Sequence, residues 1–291
     1  MNIAFYLHDI KDAVSFEKQL IWFKKKYRLI SAADLRDIIY EKRNISNCCH
    51  LTIDDGWLST YQIIFPLLKK YNIPVSIFVS PEMCKNGKNF WYMEYRKEDE
   101  NSIKTLLVDE KIFTREILSF PLELIFKEMK VDEVYSILEK YKILNNMPLN
   151  ERNIVNIDEL CEMSSSGLVE IGAHTMSHPI LANEDASRSE REIQQSIREL
   201  ELIIGTKVKS FAYPNGIPNL DFTQREVNFV HSLGIDLAYS VNPGVIKTST
   251  NPLCIPRVGS TNRLKLGLLG LRMPSLHDQV NPRKKIKSYK L

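Results

Sequence analysis

The stretch LTIDDGW, residues 51–57, ends an apolar run with two adjacent carboxylates, Asp54 and Asp55. Carboxylates this close repel each other, and each tends to raise the pKa of the other. With Gly56 they could form the acidic turn of a hairpin, because Asp-Gly favours type I′ geometry. However, residues 58–71 place apolar side chains at helical spacing, which fits a hairpin poorly. The stretch therefore predicts a strand that leads into a helix and presents two carboxylates where the strand ends.

The rest of the chain alternates between strand and helix patterns. Five further apolar segments are typical of strands: residues 2–8, 74–80, 168–174, 208–213 and 236–241. Helical patterns cover residues 12–27, 186–204 and 222–233. Residues 85–150 are charged and helix-prone and indicate an insertion. The alternation predicts an α/β fold with a parallel sheet or barrel and helices outside it, in which the chemistry collects at the carboxyl ends of the strands.

Composition limits the class of protein. The chain has 291 residues, 44% of them apolar and 26% charged, as in ordinary soluble proteins. A net charge of +3 is too small to argue for a nucleic-acid partner. The first residues do not resemble a signal peptide, and no window approaches the ~18 apolar residues of a membrane span. The five cysteines contain no CxxC pair. We therefore expect reduced thiols and a cytoplasmic enzyme.

The C-terminal tail, residues 261–291, is basic and ends in NPRKKIKSYKL. A charge run of this kind usually belongs to a solvated, partly disordered end, and we expect that here. The alternative is a peripheral contact with an acidic partner or an anionic lipid surface, which would place the enzyme at the inner face of the membrane.

Polar side chains follow four of the predicted strands. They are His8, Asp54 with Asp55, His174 with His178, and the segment 214–216. The pair in HTMSH, residues 174–178, is a weak signal alone, since two histidines four residues apart occur by chance. Together with an Asp at a neighbouring strand end it supplies three metal ligands and leaves positions open for water and substrate, as catalytic zinc sites require.

The segments LTIDDGW, HTMSH and FAYPNG resemble, in this order and spacing, the first three motifs of the polysaccharide deacetylase family, also known as the NodB homology domain or carbohydrate esterase family 4. The resemblance spans about residues 1–260, with the insertion at about 85–150 and the basic tail at 261–291. It implies a distorted (β/α) barrel of about seven parallel strands with a helical insertion.

The resemblance also implies roles for individual residues. Asp55, His174 and His178 would bind one divalent metal, with Zn²⁺ as the first choice and Co²⁺, Ni²⁺ or Mn²⁺ as alternatives. Asp54 would be the general base that takes a proton from the attacking water. A backbone N–H at or beside Asn215 would help to hold the oxyanion.

This chain departs from the family pattern in two places, at the Arg that holds the general base and at the His that acts as general acid. Ala212 stands where many members carry an Arg that holds the base, and residues 253–257 lack the late His that protonates the leaving amine. His8 and Arg257 are the candidates that could fill these gaps. The ordinary alternatives are a structural histidine and a surface ion pair.

Three residues are predicted to contact substrate: Asn215, Tyr213 and Trp57. Asn215 replaces the usual Tyr or Phe of the family, and Tyr213 could instead pack in the barrel. The aromatic segment NFWYMEY, residues 89–95, could be a platform for sugar stacking, but a small core of the insertion itself is the default interpretation.

The predicted function is hydrolysis of an N-acetyl group on a sugar in a polysaccharide or glycan precursor, and the predicted partner is that N-acetylated sugar or glycan intermediate. The first alternative is a deformylase or another non-peptide C–N hydrolase on the same fold. The second is a catalytically silent glycan-binding relative, although a protein that only binds glycans has no need of Asp54.

Overall fold

A computed structural model describes residues 1–43, 45–147, 151–260, 271–272 and 276–291. The strands are β1 Ile3–Leu7, β2 Arg28–Ile30, β3 Cys48–Ile53, β4 Val75–Val79, β5 Val169–Ala173, β6 Ser210–Ala212, β7 Leu237–Tyr239, β8 Val258–Ser260 and β9 Leu271–Arg272. The helices are α1 Ala13–Lys26, α2 Ala32–Tyr40, α3 Phe65–Tyr71, α4 Pro81–Asn86, α5 Trp91–Tyr95, α6 Glu100–Asp109, α7 Leu122–Phe126, α8 Val131–Leu144, α9 Ile157–Ser165, α10 Ala186–Ile204, α11 Gln224–Ser232 and α12 Leu276–Lys287.

The strands form one sheet in the order β7-β6-β5-β4-β3-β1-β8-β9, with β2 paired to β3. Every pairing from β7 to β8 is parallel, and only β9 runs antiparallel to its neighbour among the described strands. The seven strands from β7 to β8 make a half-barrel with helices outside it. The predicted fold class, a distorted (β/α) barrel of about seven parallel strands with a helical insertion, is confirmed.

The central strands are apolar because both of their faces are covered. Every residue of β3 and β4 is buried, as expected for a parallel sheet with helices on its surface. Helix α10 has the bounds predicted from its amphipathic pattern and buries Ile193, Ile197 and Leu200. Asp185 caps its first turn, and Gly205 ends it in the left-handed conformation.

Helices α5 to α8 lie within the predicted insertion and bury apolar side chains among themselves, which include Ile103, Leu107, Phe126, Val134 and Leu138. These side chains are continuous with the core of the half-barrel. Because α5 lies over the carboxyl ends of the strands, as its contacts with His178 show, the insertion forms one wall of the cleft described below.

The expectation of a solvated tail holds for Lys284, Lys285 and Lys287, which are exposed, but it is wrong for Arg283 and Ile286. Ile286 has no exposed surface, and Arg283 is buried between the carboxylates of Glu128 and Asp221. The chain end is also held by a backbone hydrogen bond to the insertion, in which the N–H of Leu291 donates to the carbonyl of Ile112 at 2.9 Å. Nothing in the described residues supports a membrane contact. Within these ranges, no helix combines the length and the apolarity needed to cross a bilayer.

Candidate metal centre and catalytic cleft

The two adjacent carboxylates stand where β3 ends and the chain turns. The N–H of Asp54 still continues the sheet pairing and donates to the Leu7 carbonyl at 2.9 Å. Asp55 and Gly56 then adopt positive φ angles of 74° and 64°. A Cβ at Gly56 would lie 2.7 Å from Val79 Cγ1, so a side chain has no room there. This tight turn brings both carboxylates to the same cleft.

Asp55 meets two imidazoles. Its Oδ1 lies 3.5 Å from Nε2 of His174 and 3.6 Å from Nε2 of His178. His174 directly follows β5, and its Nδ1 lies 2.7 Å from the Ala212 carbonyl. A carbonyl only accepts, so this contact assigns the proton to Nδ1 and leaves the lone pair on Nε2 directed at Asp55.

The residues present fit a divalent metal. The Oδ1 atom of Asp55 is buried and has no hydrogen-bond partner among the described residues, which is costly for a carboxylate unless a cation binds there. The ligand atoms of Asp55, His174 and His178 all lie within 4.8 Å of one another. Two imidazole nitrogens and one carboxylate oxygen suit Zn²⁺ and also Co²⁺, Ni²⁺ or Mn²⁺.

The charge states of these side chains suit the same role. Burial opposes ionisation of Asp55, but the nearby imidazole of His8 and the contact with His174 outweigh it and hold the pKa of Asp55 well below its usual range. Burial lowers the pKa of His178 to about 3. At neutral pH the centre therefore offers a carboxylate anion and a neutral imidazole at position 178, the forms that ligate metals.

The loop between the two histidines is held by Glu192 of α10. Its buried carboxylate accepts hydrogen bonds from the N–H groups of Met176 and Ser177 at 2.9 and 3.0 Å. It also accepts from the Ser177 hydroxyl at 2.8 Å. His178 has a φ of 60°, a conformation that a residue with a side chain adopts only when its surroundings enforce it. Glu192 therefore fixes the position of the second histidine ligand.

Replacing Glu192 by Gln is expected to weaken metal binding by about 10-fold or more, because loss of a group that orients a ligand typically costs 10–100-fold in affinity. Calorimetric titration of the apoprotein with Zn²⁺ measures this. Glu190→Gln, on the solvent side of the same helix, is the matched control and is expected to bind as the wild type does. Equal Zn²⁺ affinity in Glu192→Gln and wild type would show that the loop holds its shape without the carboxylate.

Asp54 is held by Arg257 in a bidentate ion pair. Nη1 donates to Oδ1 at 2.7 Å, and Nη2 donates to Oδ2 at 2.9 Å. Arg257 directly precedes β8, which pairs with β1 and so brings it beside the end of β3. Arg257 therefore supplies a guanidinium for Asp54, although position 212, where many members of the resembled family carry an Arg, is an alanine here.

Arg257 is itself completely buried. Its remaining donors reach the Thr52 hydroxyl at 2.9 Å and the Ser240 carbonyl at 3.0 Å. The rings of three aromatic residues surround the guanidinium at 5.1 to 5.7 Å: Tyr6, Phe78 and Tyr239. The position of the guanidinium is therefore fixed independently of Asp54, so Arg257 can orient that carboxylate.

These groups line a cleft of about 1080 Å³. His8 lies at its rim with 46% of its side chain exposed and Nε2 3.8 Å from Asp55 Oδ2. Trp57 lines the same cleft and donates its indole N–H to Asp55 Oδ2 at 3.2 Å. Both residues therefore lie on the rim where the sequence placed them.

The other two predicted substrate contacts differ in their placement. Asn215 has a φ of 56° and lines the cleft with a buried Nδ2 that has no hydrogen-bond partner among the described residues. Tyr213 stacks on Phe222, with ring centroids 3.7 Å apart, and its hydroxyl donates to the Leu253 carbonyl. The structure thus places the Tyr213 side chain in the barrel, the packing alternative, with no exposed surface for a substrate.

The insertion contributes cleft residues that the sequence did not assign. Trp91, Tyr92 and Met93 line the cleft, and the Trp91 indole N–H donates to the His178 carbonyl at 3.2 Å. Trp91 also stacks on Tyr95, so the aromatic segment is at once a core of the insertion and a wall of the cleft. In the sequence, the only indication of this wall is the density of aromatic residues in NFWYMEY.

Comparisons with known proteins agree with this geometry. The family model described as polysaccharide deacetylase matches residues 124–237, which include His174 and His178 but not Asp54 and Asp55. No protein with a curated description matches the chain by sequence.

Solved structures share the fold over most of the chain. IcaB from Ammonifex degensii is 17% identical with a TM-score of 0.62, and the match covers 98% of this chain and 97% of that chain. The Streptococcus pyogenes deacetylase PplD, in complex with acetate, is 14% identical with a TM-score of 0.60, over 90% and 92%. The BpsB deacetylase domain from Bordetella bronchiseptica is 16% identical with a TM-score of 0.57, over 88% and 94%. The family model spans both histidine ligands, and the solved structures share the fold over most of the chain, so residues 124–237 are similar in sequence to the polysaccharide deacetylases.

Proposed function

We propose that this chain is a metal-dependent deacetylase that removes an N-acetyl group from a sugar in a polysaccharide or glycan precursor. One observation carries the proposal: in a single cleft, Asp54 is held by Arg257 beside the ligand set Asp55, His174 and His178. A site that only binds glycans would have no use for a second, oriented carboxylate next to a metal centre.

Asp55, His174 and His178 would hold the metal, with Zn²⁺ as the first choice. When bound there, such an ion lowers the pKa of a coordinated water and polarises the amide carbonyl. Asp54 then accepts the proton of the attacking water as general base. Arg257 occupies one acceptor position on each oxygen of Asp54, so each oxygen keeps a second position for that proton.

Two roles remain to be assigned, the donor that stabilises the oxyanion and the acid that protonates the leaving amine. The backbone N–H of Asn215, in the turn after β6, helps to stabilise the oxyanion. His8 protonates the leaving amine. Its imidazole lies beside Asp55 at the open rim of the cleft, where it can contact the substrate and exchange protons with solvent. The five cysteines are all unpaired, which supports a site of action in the reducing cytoplasm.

The test is acetate release from N-acetylglucosamine oligomers by the Zn²⁺-loaded chain, measured together with new free amine. We expect acetate and amine in equal amounts, loss of both on chelation, and recovery when Zn²⁺ is returned. Formate release from an N-formyl analogue, with no acetate from the N-acetyl substrate, would instead identify a deformylase. With His8→Asn at equal metal content, turnover equal to that of the wild type would remove His8 from the mechanism.

A further inference from the structure

The insertion places one tyrosine, Tyr92 of α5, directly at the metal centre. Its ring lies edge-on to His178 with centroids 5.2 Å apart, and it stacks on Phe90 at 5.4 Å with only 10° between the ring planes. The ring centroid of Trp57 lies 6.5 Å from that of Tyr92. The side chain is 8% exposed, so neighbouring rings fix its position.

The hydroxyl of Tyr92 is buried and faces Asp55, but it makes no hydrogen bond of normal geometry to any described residue. A tyrosine phenol keeps its proton at neutral pH and can therefore donate a hydrogen bond. Asp55 has other contacts, since Oδ2 accepts from Trp57 and Oδ1 faces the two imidazoles. A buried hydroxyl without an acceptor costs about 1–3 kcal/mol, so an acceptor that binds in the cleft would stabilise it.

We propose that Tyr92 is a further catalytic residue, whose hydroxyl donates a hydrogen bond to the acyl oxygen of the bound substrate and of the acetate product. This inference rests on the proposed function, because it assigns the donor to the reaction given above. Tyr92 lies beside His178 and Asp55, two of the three metal ligands, and a carbonyl polarised at the centre brings its oxygen to that place. The acyl oxygen is then held by Tyr92 from the insertion and by Asn215 from the barrel.

This role makes the insertion part of the active site. Helix α5 supplies the donor, and helices α6 to α8 pack behind it in the core of the insertion. The aromatic segment therefore acts on the acyl group of the substrate, in addition to any stacking on its sugar ring.

The test uses acetate as the probe, so that it does not depend on identifying the natural sugar. Calorimetric titration of the Zn²⁺-loaded chain is expected to show that Tyr92→Phe binds acetate about 10-fold more weakly than the wild type, the loss of one hydrogen bond to a charged group. The kcat for N-acetylglucosamine oligomers is expected to fall about 100-fold, and Zn²⁺ affinity is expected not to change.

Tyr135→Phe is the matched control. Tyr135 lies in α8 of the same insertion. Its hydroxyl is also buried and makes no hydrogen bond of normal geometry, but the groups near it are the Trp91 backbone, Glu82 and Glu192 and not a metal ligand. We expect this variant to bind acetate as the wild type does.

Three results would overturn the proposal. They are unchanged acetate affinity in Tyr92→Phe, a wild type that binds no acetate, and a fall in Zn²⁺ affinity that accounts for the whole effect, which would mean that the hydroxyl acts through Asp55. Failure of the wild type to release acetate from sugars would count against the proposed function, while the acetate titration would still decide the role of Tyr92.

Discussion

Replacing Asp54 by Asn is expected to lower turnover by at least two orders of magnitude while the metal stays bound. The amide of Asn still accepts a hydrogen bond from Arg257, but it cannot take a proton from water. The expected loss in kcat is about 10²–10⁴-fold, the usual contribution of a general base. The ligands Asp55, His174 and His178 are untouched, so one Zn²⁺ per chain should remain. Both quantities can be measured on one preparation, as acetate released per second and zinc bound per chain.

A matched control for this variant is Glu170→Gln. Glu170 of β5 also forms a bidentate pair with an arginine, Arg36, at 2.8 Å for both contacts, but it does not line the cleft. Its variant should keep wild-type turnover once corrected for the folded fraction. Unchanged turnover in Asp54→Asn would refute the base assignment. Loss of zinc from that variant would instead show that Asp54 is a ligand and that the roles of the two aspartates are exchanged.

Replacing Arg257 by Met is expected to lower the free energy of unfolding by about 3–5 kcal/mol, because it leaves the carboxylate of Asp54 buried without its counter-ion. Asp54 is only 3% exposed, so water cannot easily replace the guanidinium. Urea titration followed by circular dichroism measures the change. Turnover at equal folded fraction should also fall, since Asp54 loses the group that orients it.

The double variant Asp54→Asn with Arg257→Met separates pairing from simple loss of packing. If the two side chains act mainly on each other, the double variant should be destabilised by clearly less than the sum of the single effects. Additive effects would show that Arg257 stabilises the fold through Tyr6, Phe78 and Tyr239 and that its pairing with Asp54 contributes little.

The part of the site that lies on consecutive strand ends could be predicted from the sequence. The carboxyl ends of parallel strands meet at one edge, so finding β1, β3 and β5 by their apolar patterns was enough to bring His8, Asp55 and His174 together. The local turn at Asp55 was also predictable in outline, because a glycine follows the two carboxylates. These inferences need only short stretches of chain and one general property of parallel sheets.

The partners of these residues could not be derived in the same way. Arg257 is 203 residues from Asp54, and it reaches the base only because the three-residue strand β8 pairs with β1. A strand that short carries almost no periodic signal. Tyr213 was ambiguous for a related reason, because an aromatic side chain at a strand end can face either the cleft or the core.

The insertion and the tail show the same limitation. The sequence around Tyr92 does not show that this side chain lies beside Asp55 and His178, because that depends on the path of the insertion over the barrel. The tail was predicted to be solvated because its residues are basic, but the charge of Arg283 is neutralised by Glu128 and Asp221, 155 and 62 residues away. The run of basic residues correctly predicts the exposure of Lys284, Lys285 and Lys287, but it cannot predict the burial of Arg283, whose partners are distant in sequence.

The central claim, that Asp55, His174 and His178 form a metal centre, is tested most directly by zinc stoichiometry. The apoprotein is equilibrated with excess Zn²⁺, passed through a desalting column and analysed for metal per chain. The geometry predicts one Zn²⁺ for the wild type and for Asp54→Asn, and none for Asp55→Ala. One tightly held Zn²⁺ in Asp55→Ala, or none in the wild type, would contradict it.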